Sequence, residues 1–248
     1  MISAIIITSN EEDVLEQCLR SLQGFADEII IVDSNSKDKT VGIAKKYKAH
    51  VVEHKLESFA EQRNIGKDYA KGEWIFYIDS DERLTDEFKE EAKLEMASFD
   101  PGSNVGGFYV RRKTFYLGKD WGFADRVQRL FYKEKLRDWF GVVHETPQIA
   151  GEFGSISAPI LHYTHRNLEH MVEKTNKWSD YEADLRIKAD HPRMSWWRFP
   201  RVMITSFLRS YLKEGGYKNG TPGLIESLFQ AFSAFITYAK LWELQNKR

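Results

Sequence analysis

The first hundred residues alternate short apolar runs with stretches of helical period. Ile2 to Ile7 is a mostly β-branched apolar run and reads as a buried strand. Ser9 or Asn10 then stands where a helix cap belongs. Glu11, Glu12 and Asp13 fall in that helix's first turn, and Val14, Leu15, Cys18, Leu19 and Leu22 line one face. Further strands are predicted over Glu28–Val32, Ala49–Glu53 and Glu73–Ile78, with helices over Asp38–Tyr47, Ser58–Ala70 and Thr85–Ala97, the last capped by Thr85. Strand–helix alternation with short connections implies right-handed crossovers and a mainly parallel sheet covered by helices on both faces.

From about Gly106 the pattern changes. Gly107–Arg112 and Arg129–Lys133 read as strands of a mixed β region with long loops, and from Asn167 onward the chain reads as helical. The expected organisation is an α/β domain over residues 1–166 and a helical C-terminal region over residues 167–248. The 36 basic and 37 acidic residues leave a formal net charge of −1, which argues against a dedicated nucleic-acid binder. A single cysteine, Cys18, makes no internal disulfide, so packing must hold the fold. No window reaches the 18 or so apolar residues of a membrane span, and the N-terminus lacks a basic targeting segment, so a cytoplasmic protein is expected.

In an open parallel α/β sheet, ligands bind beyond the carboxyl ends of the strands. Polar groups gather there: Thr8, Ser9 and Asn10 after the first strand, Asp33 after the second, and Asp79-Ser80-Asp81 after the fourth. Any one of them would serve as an ordinary turn residue or helix cap; their convergence on one edge points to a site. The sharpest motif is Asp79-Ser80-Asp81, which follows the apolar run Trp74–Ile78. Two carboxylates at i and i+2 on a turn reach one divalent cation and one ribose together. Hard oxygen donors suit Mg²⁺ or Mn²⁺, with diphosphate oxygens completing the shell.

These residues carry a resemblance. Ile6-Ile7-Thr8-Ser9-Asn10-Glu11-Glu12, Ile31-Val32-Asp33-Ser34, Gln62-Arg63-Asn64-Ile65-Gly66 and Asp79-Ser80-Asp81 follow the order of the nucleotide-sugar motifs of family 2 glycosyltransferases with the GT-A fold. Gly141-Val142-Val143-His144-Glu145, with Gln128-Arg129-Leu130-Phe131 before it, is similar to the subgroup that includes lipopolysaccharide-core glucosyltransferases. The resemblance implies a Rossmann-like, mainly parallel sheet. It implies that Thr8, Asn10, Glu11 and Asp33 line the nucleotide pocket, with Asp33 accepting from uracil, and that Arg63 reaches the nucleotide or its diphosphate. By the same carry-over Asp79 and Ser80 hold the ribose side, Asp81 and His162 bind the metal, and Glu145 is the general base. The chain departs from the family in having His144-Glu145 where many members have Glu-Asp. It also lacks the Gln-x-x-Arg-Trp motif of processive synthases, so a single sugar transfer is expected.

The function expected is inverting transfer of a hexose, glucose by the subgroup, from a UDP-sugar to a lipid-linked or lipopolysaccharide-core glycan. Trp121, Trp139 and Phe140 are candidates for excluding water, while Arg126 and Arg129 would either grip an anionic acceptor or lie solvated. The alternatives are a sugar nucleotidylyltransferase, disfavoured because no Gly-rich basic loop follows the first strand, and a non-catalytic glycan- or membrane-binding relative. In the tail, Pro192–Lys218 holds six basic residues and one acid, and Pro200–Lys213 sets Met203, Ile204, Phe207 and Leu208 against a basic face. That region reads as a peripheral contact with an anionic bilayer, or as a subdomain packed on the catalytic core or on a second subunit.

Overall fold

The computed structural model describes residues 1–56, 58–141, 145–165 and 167–247, without the side chain of Phe123. The chain divides into two compact units, Met1–Lys113 with Ala124–His162, and Thr114–Phe123 with Tyr163–Arg248.

The first unit follows the alternation in the sequence. Strand β1 (Ile2–Thr8) leads to α1 (Leu15–Ser21), β2 (Glu28–Asp33), α2 (Thr40–Lys46), β3 (His50–Glu53), α3 (Phe59–Tyr69) and β4 (Trp74–Tyr77). These four strands are parallel, in the order β3-β2-β1-β4. Beyond them the chain adds β5 (Glu82–Leu84), α4 (Asp86–Ala97), β6 (Val105–Tyr116), β7 (Lys119–Tyr132), β8 (Leu136–Phe140), β9 (Thr146–Ile149) and β10 (Glu152–Thr164). The sheet continues from β4 as β7-β6-β10-β5, with β4–β7 and β10–β5 antiparallel, while β8 and β9 pair separately. The architecture is thus the expected α/β one, with a parallel half, a mixed half and a helical C-terminal part.

The period-two pattern of the strands explains why both faces are covered. Ala4 and Ile6 of β1, Ile31 of β2 and Trp74 and Phe76 of β4 face one core with Leu15, Cys18, Leu19 and Phe88. Their neighbours Ile5, Ile30, Val32, Ile75 and Tyr77 face the other, with Ala60, Leu136 and Trp139. Each fully buried residue of this size contributes roughly 1.5–3 kcal/mol. Gly66 is a packing requirement on the second face, because a Cβ there would collide with Cγ2 of Ile5. Cys18 is buried, and burial pushes its thiol well above the usual range.

Two local readings change. Neither Ser9 nor Asn10 caps α1, which begins only at Leu15. Asn10 instead adopts a left-handed conformation (φ 58°), and its side-chain carbonyl accepts from the Lys37 amide at 2.8 Å. The two strands expected in the mixed region are the longer partners of a hairpin. Leu117 and Gly118 between them both have positive φ, as a tight primed turn requires. The Thr85 cap is as expected, its hydroxyl accepting from the Phe88 amide at 3.1 Å.

The second unit is built on α5 (Leu168–Lys188), α6 (Arg198–Leu208) and α7 (Gly220–Asn246). Asn167 caps α5 by accepting from the His170 amide at 2.8 Å. The interior face of α5 is a ladder of Met171, Thr175, Ser179 and Ala183 at four-residue steps. Met194 and Leu241 close a small core with Ala183. Phe229, one of the apolar residues of the tail, faces inward beside His165, whose Nδ1 lies 2.8 Å from the buried Glu226 carboxylate. No helix among the described residues is long and apolar enough to cross a membrane.

Candidate active site

The carboxyl ends of β1 and β2 meet in register at Thr8 and Asp33. Asp33 is fully buried, and three donors hold its carboxylate: the Thr8 hydroxyl at 2.9 Å, the Ser36 hydroxyl at 2.6 Å and the Ser36 amide at 2.8 Å. The loops after the two strands are laced together. The Asn10 amide donates to the Ser36 hydroxyl and the Glu11 amide to the Thr40 hydroxyl, each at 2.8 Å. Thr8, Asn10, Glu11 and Asp33 therefore form one preorganised edge.

Helix α3 delivers the next group, in which Gln62, Arg63 and Asn64 have separable tasks. Gln62 donates to the His54 carbonyl at 3.0 Å, and Asn64 clamps the Trp139 backbone from both sides at 2.8 and 3.1 Å. Arg63 is held over the Trp139 ring at 4.8 Å and the Tyr77 ring at 5.4 Å. Its guanidinium bridges two carboxylates, Glu145 at 3.0 Å and Asp79 at 3.4 Å. Trp139 thus lies beneath Arg63, whereas Phe140 is exposed.

The two carboxylates of Asp79-Ser80-Asp81 part ways. Asp79 is bound by Arg63 and, at closer range, by Nη2 of Arg129. The same Arg129 nitrogen lies 2.8 Å from Glu82, a fully buried carboxylate that Arg112 also approaches at 3.5 Å. Arg112 is itself paired with Asp125 at 2.6 Å. Burial alone would raise the Asp79 carboxyl; the guanidiniums of Arg129, Arg63 and Arg112 outweigh it and hold the group well below the usual carboxylate range. Asp81 instead faces Nε2 of His162 at 3.3 Å, because the β10–β5 register sets His162 opposite Glu82, the next residue along. The buried Ser80 contributes its carbonyl to Arg83 at 2.8 Å.

The structure brings together Arg63, Asp79 and Glu145, and it pairs Asp81 with His162. Val142, Val143 and His144 lie outside the described residues. Arg129 is buried and paired, whereas Arg126 is exposed. Trp121 belongs to the second unit, where it is buried. Glu82 and Arg112 were not singled out by sequence. The signal was the unbroken polar run Asp79–Arg83 directly after a buried strand, longer than a turn needs.

As a metal test, the described residues contain no group of three or more His, Cys, Asp or Glu side chains arranged around a cation. Asp81 and His162 provide one hard oxygen and one imidazole nitrogen, both largely buried, which suit Mg²⁺ or Mn²⁺ only if a ligand supplies the remaining oxygens.

The profile of glycosyl transferase family 2 matches residues 3–151. A lipopolysaccharide core biosynthesis glycosyltransferase, LpsC, of Rhizobium meliloti is 30% identical over 258 residues, covering 98% of this chain and 92% of its own. The chain therefore belongs to glycosyl transferase family 2, and it is a glycosyltransferase. An uncharacterized glycosyltransferase of Rickettsia typhi is 26% identical over 265 residues, 99% of this chain and 88% of its own. Among solved structures, glucosyl-3-phosphoglycerate synthase from Mycobacterium tuberculosis, in complex with Mn²⁺, UDP and glucosyl-3-phosphoglycerate, aligns with a TM-score of 0.40 at 20% identity, over 55% of this chain and 58% of that one.

Proposed function

We propose that this glycosyltransferase moves a hexose, glucose by its subgroup, from a UDP-sugar to a lipid-linked or lipopolysaccharide-core glycan, with inversion and one sugar per encounter. The 30% identity to LpsC over nearly the whole chain supports the acceptor class. The observation that carries the donor reading is the Arg63 bridge between Glu145 and Asp79, on the strand edge formed by Thr8 and Asp33. We assign residues 1–166 to donor binding and catalysis and residues 167–248 to the helical extension.

In this reading Thr8, Asn10, Glu11 and Asp33 form the base and ribose pocket, with Asp79 and Ser80 at the ribose side. Asp81 and His162 would hold Mg²⁺ or Mn²⁺, which supplies charge neutralisation on the diphosphate. Asp79, Asp81 and Glu145 stand together at this edge, and a cation at Asp81 would offset part of their repulsion of an incoming diphosphate. Arg63 turns toward the diphosphate when it arrives. Glu145 thereby loses its partner and takes the proton of the acceptor hydroxyl. The acceptor oxygen then bonds to the anomeric carbon from the face opposite the leaving UDP. The anomeric carbon–oxygen bond breaks, and its electron pair leaves on the diphosphate, where Arg63 stabilises it.

The test is thermal stabilisation by UDP with and without Mn²⁺, followed by turnover with a panel of UDP-sugars. Metal-dependent stabilisation that disappears in Asp81→Ala is expected. Stabilisation by UDP that is indifferent to both metal and Asp81 would refute the assignment.

A further inference from the structure

The second unit carries an apolar surface that its own folding leaves open. Along α7, Leu224, Leu228, Phe232, Phe235 and Trp242 recur at three-, four- and seven-residue steps, and all five are exposed. The opposite face of the same helix is buried, at Gly223, Ser227, Thr237 and Leu241 among others. On α6 and the π-helical turn Arg209–Lys213 that follows it, Ile204, Leu208 and Leu212 repeat the arrangement at four-residue steps, again exposed. A soluble helix ordinarily hides such a stripe and shows charge on its other side. Here the stripe points outward along about 27 Å of α7, at 1.5 Å per residue.

Charge decides what covers it. Trp196 is 83% exposed, and Trp197 beside it carries the Arg198 and Arg201 guanidiniums over its ring at 5.3 and 5.6 Å. Phe199, between them in sequence, contacts Phe235 of α7 at 5.9 Å, so the aromatic and basic cluster adjoins the apolar stripe. Arg209, Lys213 and Lys218 continue the basic series, and Glu214, the one acid in 192–218, is paired with Arg209 at 2.9 Å. Between Gly220 and Ala239 the only charged residue is Glu226, which is buried against His165. A second copy docked symmetrically on this face would bring two copies of the same basic cluster into one interface. An anionic lipid surface accepts the same residues favourably, receiving arginine at the headgroups, tryptophan at the boundary and leucine and phenylalanine beneath it.

We propose that the exposed stripe of α7, with α6 and the Trp196–Arg201 segment, is an interfacial docking face for an anionic phospholipid bilayer, on which the helices lie flat. The inference deepens the reading above, resting on its lipid-linked acceptor for a purpose but not for the binding itself.

Flotation of the full chain tests it, using phosphatidylcholine vesicles with and without about a third phosphatidylglycerol at low salt. Roughly tenfold more protein should float with the anionic vesicles. The preference should vanish in Arg198→Glu/Arg201→Glu, and binding should fall in Leu228→Gln/Phe232→Gln, with circular dichroism confirming that both variants are folded. Three results would overturn the proposal: no flotation of the parent with anionic vesicles, flotation unchanged in both folded variants, or a parent dimer that ignores vesicles and becomes monomeric in Leu228→Gln/Phe232→Gln. UDP–Mn²⁺ stabilisation of the same samples reports separately on the donor site. A protein that floats but ignores UDP contradicts the glycosyl-transfer reading alone; one that binds UDP but never floats contradicts the docking face alone.

Discussion

Replacing Arg129 with methionine isolates the energetic centre of the site. The guanidinium faces Asp79 and Glu82 with a single nitrogen, and Arg129 is itself buried. Removing one partner of a buried ion pair costs about 3–5 kcal/mol, because the remaining charge is stranded in a poor solvent. Two features pull the figure to the low end. Glu82 keeps Arg112 at 3.5 Å, and Asp79 keeps Arg63 at 3.4 Å. Asp79 also has 36% of its side chain accessible, so water screens part of its share. The expected loss is about 3 kcal/mol, most of it from Glu82, or about 6–12 °C in Tm for a chain of this size.

The pH dependence gives the prediction its sign. Asp79 is depressed in the folded protein, so its contribution is fully present above the unfolded carboxyl value of about 4 and is lost as pH falls through the lower folded value. The gap between parent and Arg129→Met should be constant above about pH 5 and shrink below about pH 4. Urea unfolding across that range measures it. A second check is the cycle with Glu82→Gln, where the double variant should cost less than the two singles added, by about 0.5–3 kcal/mol. A variant within about 0.5 kcal/mol of the parent at pH 7, or a gap unchanged at low pH, would show that the arginine is an onlooker.

Other expectations follow from the same geometry. Glu145→Gln should bind UDP at least as tightly as the parent, since the diphosphate no longer competes with a carboxylate for Arg63, and lose about 10²–10⁴-fold in transfer rate, read by UDP release with acceptor present; full turnover would remove it as base. His162→Ala should weaken metal-dependent UDP stabilisation while sparing the metal-independent part, and equal loss of both in a titration would deny it a ligand role. Gly66→Ala should cost about 1–3 kcal/mol in urea unfolding, since α3 must retreat from Ile5 to admit a methyl group, and a neutral result would mean that α3 has slack.

What sequence could reveal divides along a physical line. The parallel half of the sheet was legible because Ile2–Ile7 and Trp74–Ile78 are apolar on both faces, a property that survives any tertiary arrangement. The start of α1 was not legible. Asn10 prefers to cap when judged alone, but a bond from the Lys37 amide, 27 residues away, holds it left-handed. The long β6–β7 hairpin was visible only at its apolar ends, since its middle alternates charged residues that look like loop. Arg129 illustrates the deepest ambiguity. Nothing local distinguishes a solvated arginine from a buried one; the difference lies in Glu82 and Asp79, which strand pairing brings to it.

That ambiguity bears on how the acidic turn works. Read as a string, Asp79 and Asp81 are like carboxylates two residues apart, and only the resemblance assigns one to the ribose and the other to a metal. In the fold they have unequal surroundings: three guanidiniums act on Asp79, while Asp81 meets an imidazole. A carboxylate already saturated by arginine gains little from a cation, since the incoming charge must displace partners as strong as itself. Asp79 is therefore better suited to fixing Arg63 and the turn than to coordination, which is why the proposed metal site uses Asp81 and not Asp79. In the proposed mechanism the same logic would make the Arg63–Glu145 pair a device for timing. Without the donor the Glu145 carboxylate is held by Arg63 at 3.0 Å; a diphosphate competing for Arg63 would free it to act as base, which would couple proton abstraction to the presence of a leaving group.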